Sequence, residues 1–140
     1  MQTQTQKTGE LFGESKMKVT TTTVKEITPL GVRYEVNYGG QFAGSLYSAR
    51  EVGTITAFLK ADGTMEWEVK EIASTAEGDV ILSSGRGTGK LTGPGMFWSE
   101  GEGVVMTQSK RLSSLNGKKL RVEGTSNQAT GELQSKFFTL

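Results

Sequence analysis

Apolar and polar residues alternate with a period of two along most of the chain. Residues 64–72 place apolar side chains at Met65, Trp67 and Val69, with glutamate or lysine at the positions between them. Residues 31–37 alternate in the same way. This period puts one face of a strand on a core and the other face in water. The pattern therefore predicts a chain built from β-strands.

Turn-forming residues divide these alternating segments. The dipeptide Asp62-Gly63 separates two of them and is typical of a β-hairpin. Further turns are predicted at Gly39-Gly40, Glu77-Gly78-Asp79, Gly93-Pro94-Gly95 and Asn116-Gly117. The predicted strands are 17–28, 31–38, 50–60, 64–74, 79–86, 96–108, 118–126 and 129–139. Residues 46–51 fit one short turn of helix, and no longer segment has a helical period.

The number of strands and their short connections predict an all-β fold. We expect a single antiparallel, meander-type closed β-barrel of about eight strands, with a β-sandwich as the alternative. Glycines inside strand-like runs favour the barrel, because they permit bulges and sharp coiling. They are Gly101, Gly103, Gly124 and Gly131. The polar residues 1–15 are predicted to form a flexible arm, and residues 16–140 the barrel domain.

The composition excludes several classes of function. Among 140 residues there are 19 glycines, no histidine and no cysteine, and the net charge is +1. Catalytic triads with histidine, thiolate chemistry and His- or Cys-ligated metals are therefore excluded, and no cofactor or metal is expected. The charge gives no reason to expect nucleic acid or a membrane as partner. The absence of cysteine and of an apolar N-terminal segment favours a cytoplasmic location.

The glycine-rich segment 84–95 resembles a phosphate-binding loop only at first glance. A P-loop requires glycine where Ser84 stands and serine or threonine where Leu91 stands. The spacing of a dinucleotide-binding loop is also absent. The segment is therefore predicted to be a strand–turn–strand, with the alternative that Arg86 and Lys90 reach toward an anionic ligand.

Residues 96–108 have two distinct faces, and either of them can point inward. One face carries Met96, Trp98, Glu100, Glu102, Val104 and Met106, and the other carries Phe97, Ser99, Gly101, Gly103, Val105 and Thr107. If the first face is interior, burial and mutual repulsion raise the pKa of Glu100 or Glu102, as a general acid or base requires. If Phe97 and Val105 point inward, both glutamates lie in water.

An eight-stranded barrel has an interior that is either just filled or able to hold one small ligand. The predicted ligand-binding residues are Tyr34, Met65, Trp67, Arg86, Trp98 and Met106. The alternative for the aromatic residues among them is that they form core.

Three glycine-containing segments resemble a known family. They are Gly-Arg-Gly-Thr-Gly-Lys-Leu-Thr-Gly at 85–93, Glu-Gly-Glu-Gly at 100–103 and Gly-Glu-Leu at 131–133. The chain is similar here to a bacterial family of unknown function with an allene-oxide-cyclase-like barrel (the DUF3224-type family). This resemblance implies an avidin- or calycin-like barrel, often oligomeric, with a central cavity and no established activity. The plant cyclases isomerise an unsaturated fatty-acid epoxide, and no residue of this chain maps onto that activity.

Three hypotheses for the function follow. The first is a barrel that binds a small, mainly apolar ligand in its cavity. The second is a cofactor-free cyclase or isomerase with Glu100 or Glu102 as acid or base and Arg33 or Arg86 as anion stabiliser. The third is a non-catalytic module that forms a homo-oligomer through its outer faces.

Overall fold

Eight antiparallel strands follow one another around a closed barrel in a computed structural model, which describes residues 9–140. The strands are β1 Leu11–Thr28, β2 Gly31–Gly44, β3 Ser48–Lys60, β4 Thr64–Ser74, β5 Val80–Gly93, β6 Met96–Thr107, β7 Lys118–Asn127 and β8 Glu132–Thr139. Each strand pairs with its neighbours in sequence, and β8 closes the barrel by pairing with β1. The predicted meander barrel is confirmed, and the sandwich alternative is wrong.

The largest differences from the predicted bounds are at strands β1, β2 and β5 and at the predicted helical turn. Strand β5 continues to Gly93, seven residues beyond its predicted end at 86. Strand β1 begins at Leu11, so residues 11–15 belong to the barrel rather than to the predicted arm, and residues 1–8 lie outside the described residues. Strand β2 continues through the predicted turn at Gly39-Gly40. The predicted helical turn at 46–51 is a short loop followed by strand β3.

The β2 strand continues because Gly40 allows a close approach of β1. A Cβ at Gly40 would lie 2.2 Å from the carbonyl oxygen of Lys16 and 2.6 Å from the Cα of Met17. Glycine was expected here to turn the chain, but its missing side chain instead lets two paired strands come together.

One end of the barrel, the closed end, is sealed by a buried apolar cluster. Its members are Phe12, Phe42, Ala49, Ala73, Ile81, Val105, Leu112, Leu115 and Leu120. Leu112 and Leu115 lie at a 3-10 helical turn, Ser113–Leu115, in the connection between β6 and β7. The rings of Phe12 and Phe42 lie 5.8 Å apart, so the start of β1 packs against β2 within this cluster.

The opposite end, the hairpin end, carries the connections that follow β1, β3, β5 and β7. A smaller cluster, Ala57, Met65 and Phe97, packs there against Tyr34, Leu59 and Trp67.

Two glycines make room for Trp67 on the inner wall. Gly87 of β5 and Gly101 of β6 lie opposite each other in the register. A Cβ on either glycine would come within 2.7 or 2.8 Å of the Trp67 Cζ2 atom. The indole therefore occupies the space that these glycines leave, which explains how a face rich in glycine forms the inside of β6.

Candidate functional site

A cavity of about 430 Å³ lies inside the barrel, with lining residues from all eight strands. This volume is in the range of small-molecule sites. Most lining side chains are apolar or aromatic, and none of the lining residues within 9–140 is lysine or arginine. Thr22 and Gln128, which are exposed, line the cavity near the hairpin end. The cavity therefore reaches solvent at the hairpin end, whereas the cluster described above seals the closed end.

Three predicted ligand-binding residues, Tyr34, Met65 and Trp67, line this cavity. The Tyr34 hydroxyl donates a hydrogen bond to the Met65 sulfur at 3.6 Å. The Trp67 Nε1 donates to the backbone oxygen of Thr88 at 3.1 Å, which fixes the ring against the wall.

The two predicted catalytic glutamates lie on the outer surface. Strand β6 turns Phe97 and Val105 inward, where both are buried, while the side chains of Glu100 and Glu102 are exposed. The alternative that placed the glutamates in water is confirmed, and the placement of an acid inside the barrel at either position is wrong. The cause is Trp67, which packs on the face that carries Gly101.

The same orientation removes the other three predicted ligand-binding residues from the cavity. Met106 is exposed, and Trp98 shares the outer face of β6 with it. Arg86 is exposed and lies in register between Glu68 and Glu102. The predicted cavity positions of these residues are wrong, because each lies one residue out of phase with the inner face.

The cationic residues that were expected to stabilise an anion also lie outside. Arg33 is exposed, with its guanidinium 4.9 Å from the centre of the Phe58 ring, and Lys90 is exposed. The glycine-rich segment is a strand–turn–strand, as predicted.

Besides Glu102, whose side chain is exposed, the cavity is lined by two glutamates that the sequence analysis did not select, Glu51 of β3 and Glu71 of β4. The Tyr38 hydroxyl donates to Glu71 Oε1 at 2.5 Å, and the Ser83 hydroxyl donates to Glu71 Oε2 at 3.4 Å. Glu51 is only 3% exposed, and its Oε1 atom has no hydrogen-bond partner among the described residues. We call Glu51 and Glu71 the acid pair.

Glu51 is the member of the acid pair that keeps its proton. Burial, and then a hydrogen bond and repulsion from Glu71, raise the pKa of Glu51 to about 9, while the nearby Ser15 hydroxyl opposes this shift. Glu51 is therefore protonated at neutral pH, with Glu71 as its acidic neighbour. Burial, followed by the charge of Glu71, also raises the pKa of Tyr38. The arrangement can hold and exchange one proton inside an apolar chamber.

A signal for Glu71 was present in the sequence. Glu71 continues the alternation of Met65, Trp67 and Val69, so the period places it on the apolar face of β4. The sequence signal for Glu51 is weaker. Polarity predicts that Val52 faces the interior and Glu51 faces solvent, whereas in the structure Val52 is exposed and Glu51 is buried.

Two further properties concern the described part of the chain. Residues 9–140 contain no group of three or more acidic side chains arranged to hold a metal ion. Within the same residues, no helix is long and apolar enough to cross a membrane.

Comparison with known proteins gives a fold but no family. No family model matches the chain, and no curated protein matches it. A protein of unknown function from Clostridium acetobutylicum has a TM-score of 0.82 and 12% identity, covering 95% of this chain and 99% of its own. A β-barrel-like protein from Acinetobacter baumannii has a TM-score of 0.72 and 17% identity, covering 93% and 94%. An enzyme from Penicillium herquei has a TM-score of 0.63 and 17% identity, covering 97% and 99%.

At these identities the similarity shows the fold alone. The narrower bacterial family suggested by the glycine spacing stays a prediction. The chain is a small β-barrel protein whose fold is shared with bacterial proteins of unknown function.

Proposed function

We propose that the protein binds a small, mainly apolar ligand in the central cavity. The observation that carries this proposal is the cavity of about 430 Å³, which has largely apolar walls and reaches solvent at the hairpin end. Ligand sites typically combine such walls with a few polar groups that fix orientation. The acid pair and Tyr38 supply those polar groups here.

Octanol is a simple neutral probe of this proposal. We expect it to bind in calorimetry and to change the fluorescence of Trp67, which lines the cavity, in a Trp98→Phe background. The variant Val69→Phe, which adds a ring inside the cavity, is expected to weaken binding about tenfold or more, since overpacking costs about 1–3 kcal/mol.

The matched control is Ile72→Phe, which adds a ring on the outer face of the same strand, where Ile72 is exposed. This variant is expected to bind octanol as the native chain does. Equal binding to the native chain, Val69→Phe and Ile72→Phe would place the ligand outside the barrel and contradict the proposal.

A second candidate is a cofactor-free cyclase or isomerase, and the acid pair is the observation that favours it. A protonated Glu51 beside the Glu71 carboxylate offers an acid and a base in one water-poor chamber. The fungal enzyme of similar fold is consistent with catalysis in such a barrel. If a ligand retained through purification is identified by native mass spectrometry and is turned over, Glu71→Gln is expected to abolish turnover. Glu100→Gln, on the outer surface, is expected to leave turnover unchanged.

We also propose that copies of the chain pair through an apolar row on the outer wall. Val52, Ile72, Leu82 and Met106 follow one another in register across β3 to β6. Their exposed fractions are 51%, 49%, 42% and 52%. A contiguous apolar surface of this kind is typical of an interaction site.

Light scattering at micromolar protein is expected to give a mass above 15.1 kDa. Ile72→Glu introduces a charge in the middle of the row and is expected to shift the mass to that of a monomer. Thr88→Lys introduces a charge at another exposed outer position, away from the row and between Glu66 and Glu100 in the register, and serves as the control that is expected to keep the larger mass. A native chain that stays at 15.1 kDa would contradict the pairing.

A further inference from the structure

We propose that the ligand of the central cavity carries a positively charged nitrogen on an apolar body, and that the acid pair binds this nitrogen. The inference rests on the proposed function, since it specifies which class of small ligand the cavity selects. It follows from the charge balance of the cavity, from one unsatisfied buried atom and from the aromatic walls.

The charge balance of the cavity is negative. Glu71 accepts hydrogen bonds on both of its oxygens, as a carboxylate does, whereas the buried Glu51 keeps its proton. No lysine or arginine is among the described residues that line the cavity, and the chain has no histidine. A buried charge is costly unless it is paired, so a cation in the cavity is favoured and a second anion is disfavoured. A carboxylate ligand would place like charges together in an apolar chamber.

The unsatisfied atom is Glu51 Oε1. Both oxygens of Glu71 accept hydrogen bonds, from Tyr38 and Ser83, whereas Glu51 Oε1 and the neighbouring Ser15 Oγ are both buried without a hydrogen bond among the described residues. Glu51 lines the cavity, so a ligand donor can reach it. An ammonium group has several N–H donors, which allows one group to bond to Glu51 and to interact with the Glu71 charge.

Aromatic rings stand near the acid pair. Phe42 and Tyr47 line the cavity with their ring centres 4.8 Å apart. Glu51 lines the same cavity, and after burial its charge raises the pKa of Tyr47, so the two groups are close enough to interact. Cations bind favourably over aromatic faces, and more so where water is excluded. The rings therefore add to the preference for a cation without contributing a charge.

Three probes with the same hydrocarbon body test the proposal: octylamine, octanol and octanoate. Calorimetry of the native chain at neutral pH is expected to give the lowest Kd for octylamine, about tenfold or more below that of octanol, since hydrogen bonds between charged groups are stronger than those of a neutral hydroxyl. Octanoate is expected to bind most weakly. Octanol or octanoate binding as tightly as octylamine would overturn the inference and leave the proposed function intact. If none of the three probes binds, the proposed function fails as well.

A variant assigns the selectivity to the acid pair. The double variant Glu51→Gln/Glu71→Gln removes both carboxyl groups at nearly constant volume and is expected to bring octylamine and octanol to similar Kd values, with octanol still bound. Glu100→Gln removes a glutamate from the outer surface and is expected to keep the native preference. A full preference for octylamine in the double variant would overturn the role of the pair. If that variant fails to fold, as judged by circular dichroism, the ranking of the three probes on the native chain still decides the inference.

Discussion

The Glu51→Gln variant is expected to be more stable than the native chain at neutral pH, by about 3 kcal/mol, since neutral pH lies roughly 2.5 units above the unfolded pKa and each unit corresponds to about 1.4 kcal/mol. The folded protein raises the pKa of Glu51 from 4.5 to about 9, so it binds this proton more tightly than the unfolded chain does. Stability therefore falls as the pH rises from about 4.5 to about 9. Glutamine has no proton to lose, and its amide N–H can still donate to Glu71.

The measurement is urea denaturation across that pH range. The native chain is expected to lose stability steadily with rising pH, and Glu51→Gln is expected to show a flatter profile. The groups that face Glu51 are Ser15 of β1, Tyr38 of β2, Tyr47 and Glu71, and none of them brings a positive charge that would reverse the sign. Glu100→Gln is the surface control and is expected to follow the native profile. A destabilised Glu51→Gln with an unchanged slope would show that the proton of Glu51 is not held by the fold.

The predictable part of this structure is the part that depends on local pattern. The alternation around Trp67 and the hairpin turn at Asp62-Gly63 predict β3 and β4 almost to the residue, because period and turn chemistry act over a few positions. Successive short connections then leave a meander as the simplest arrangement.

The unpredicted part depends on contacts between distant strands. Both faces of β6 carry apolar residues, so the sequence of β6 alone does not decide which face points inward. The orientation is decided by Trp67 of β4, which packs over Gly101. The orientation of β6 also decides the predicted site, because Glu100 is a candidate interior acid only if its face of β6 points inward. The phase of β4 alone would have pointed to Glu71.

Gly101→Ala is expected to destabilise the protein by about 3 kcal/mol, although it adds a single methyl group. A Cβ at Gly101 would lie 2.3 Å from the Arg86 carbonyl oxygen, 2.8 Å from the Gly87 Cα and 2.8 Å from the Trp67 ring. Because two of these contacts are with backbone, strands β5 and β6 would have to move apart, which weakens their pairing. Thermal or urea denaturation followed by circular dichroism measures the loss.

Gly39→Ala is the matched control, since Gly39 also lies inside a strand and its added Cβ would meet only the Glu51 carbonyl oxygen at 3.7 Å. This variant is expected to be neutral or more stable by up to about 1 kcal/mol, because alanine lowers the entropy of the unfolded chain. In a Trp67→Phe background, Gly101→Ala no longer meets the indole but still clashes with the Arg86 carbonyl oxygen. Its cost, measured against Trp67→Phe alone, is therefore expected to be smaller than in the native chain but not zero. A cost of zero would show that the indole alone requires the glycine, and an unchanged cost would show that the close approach of the two backbones does.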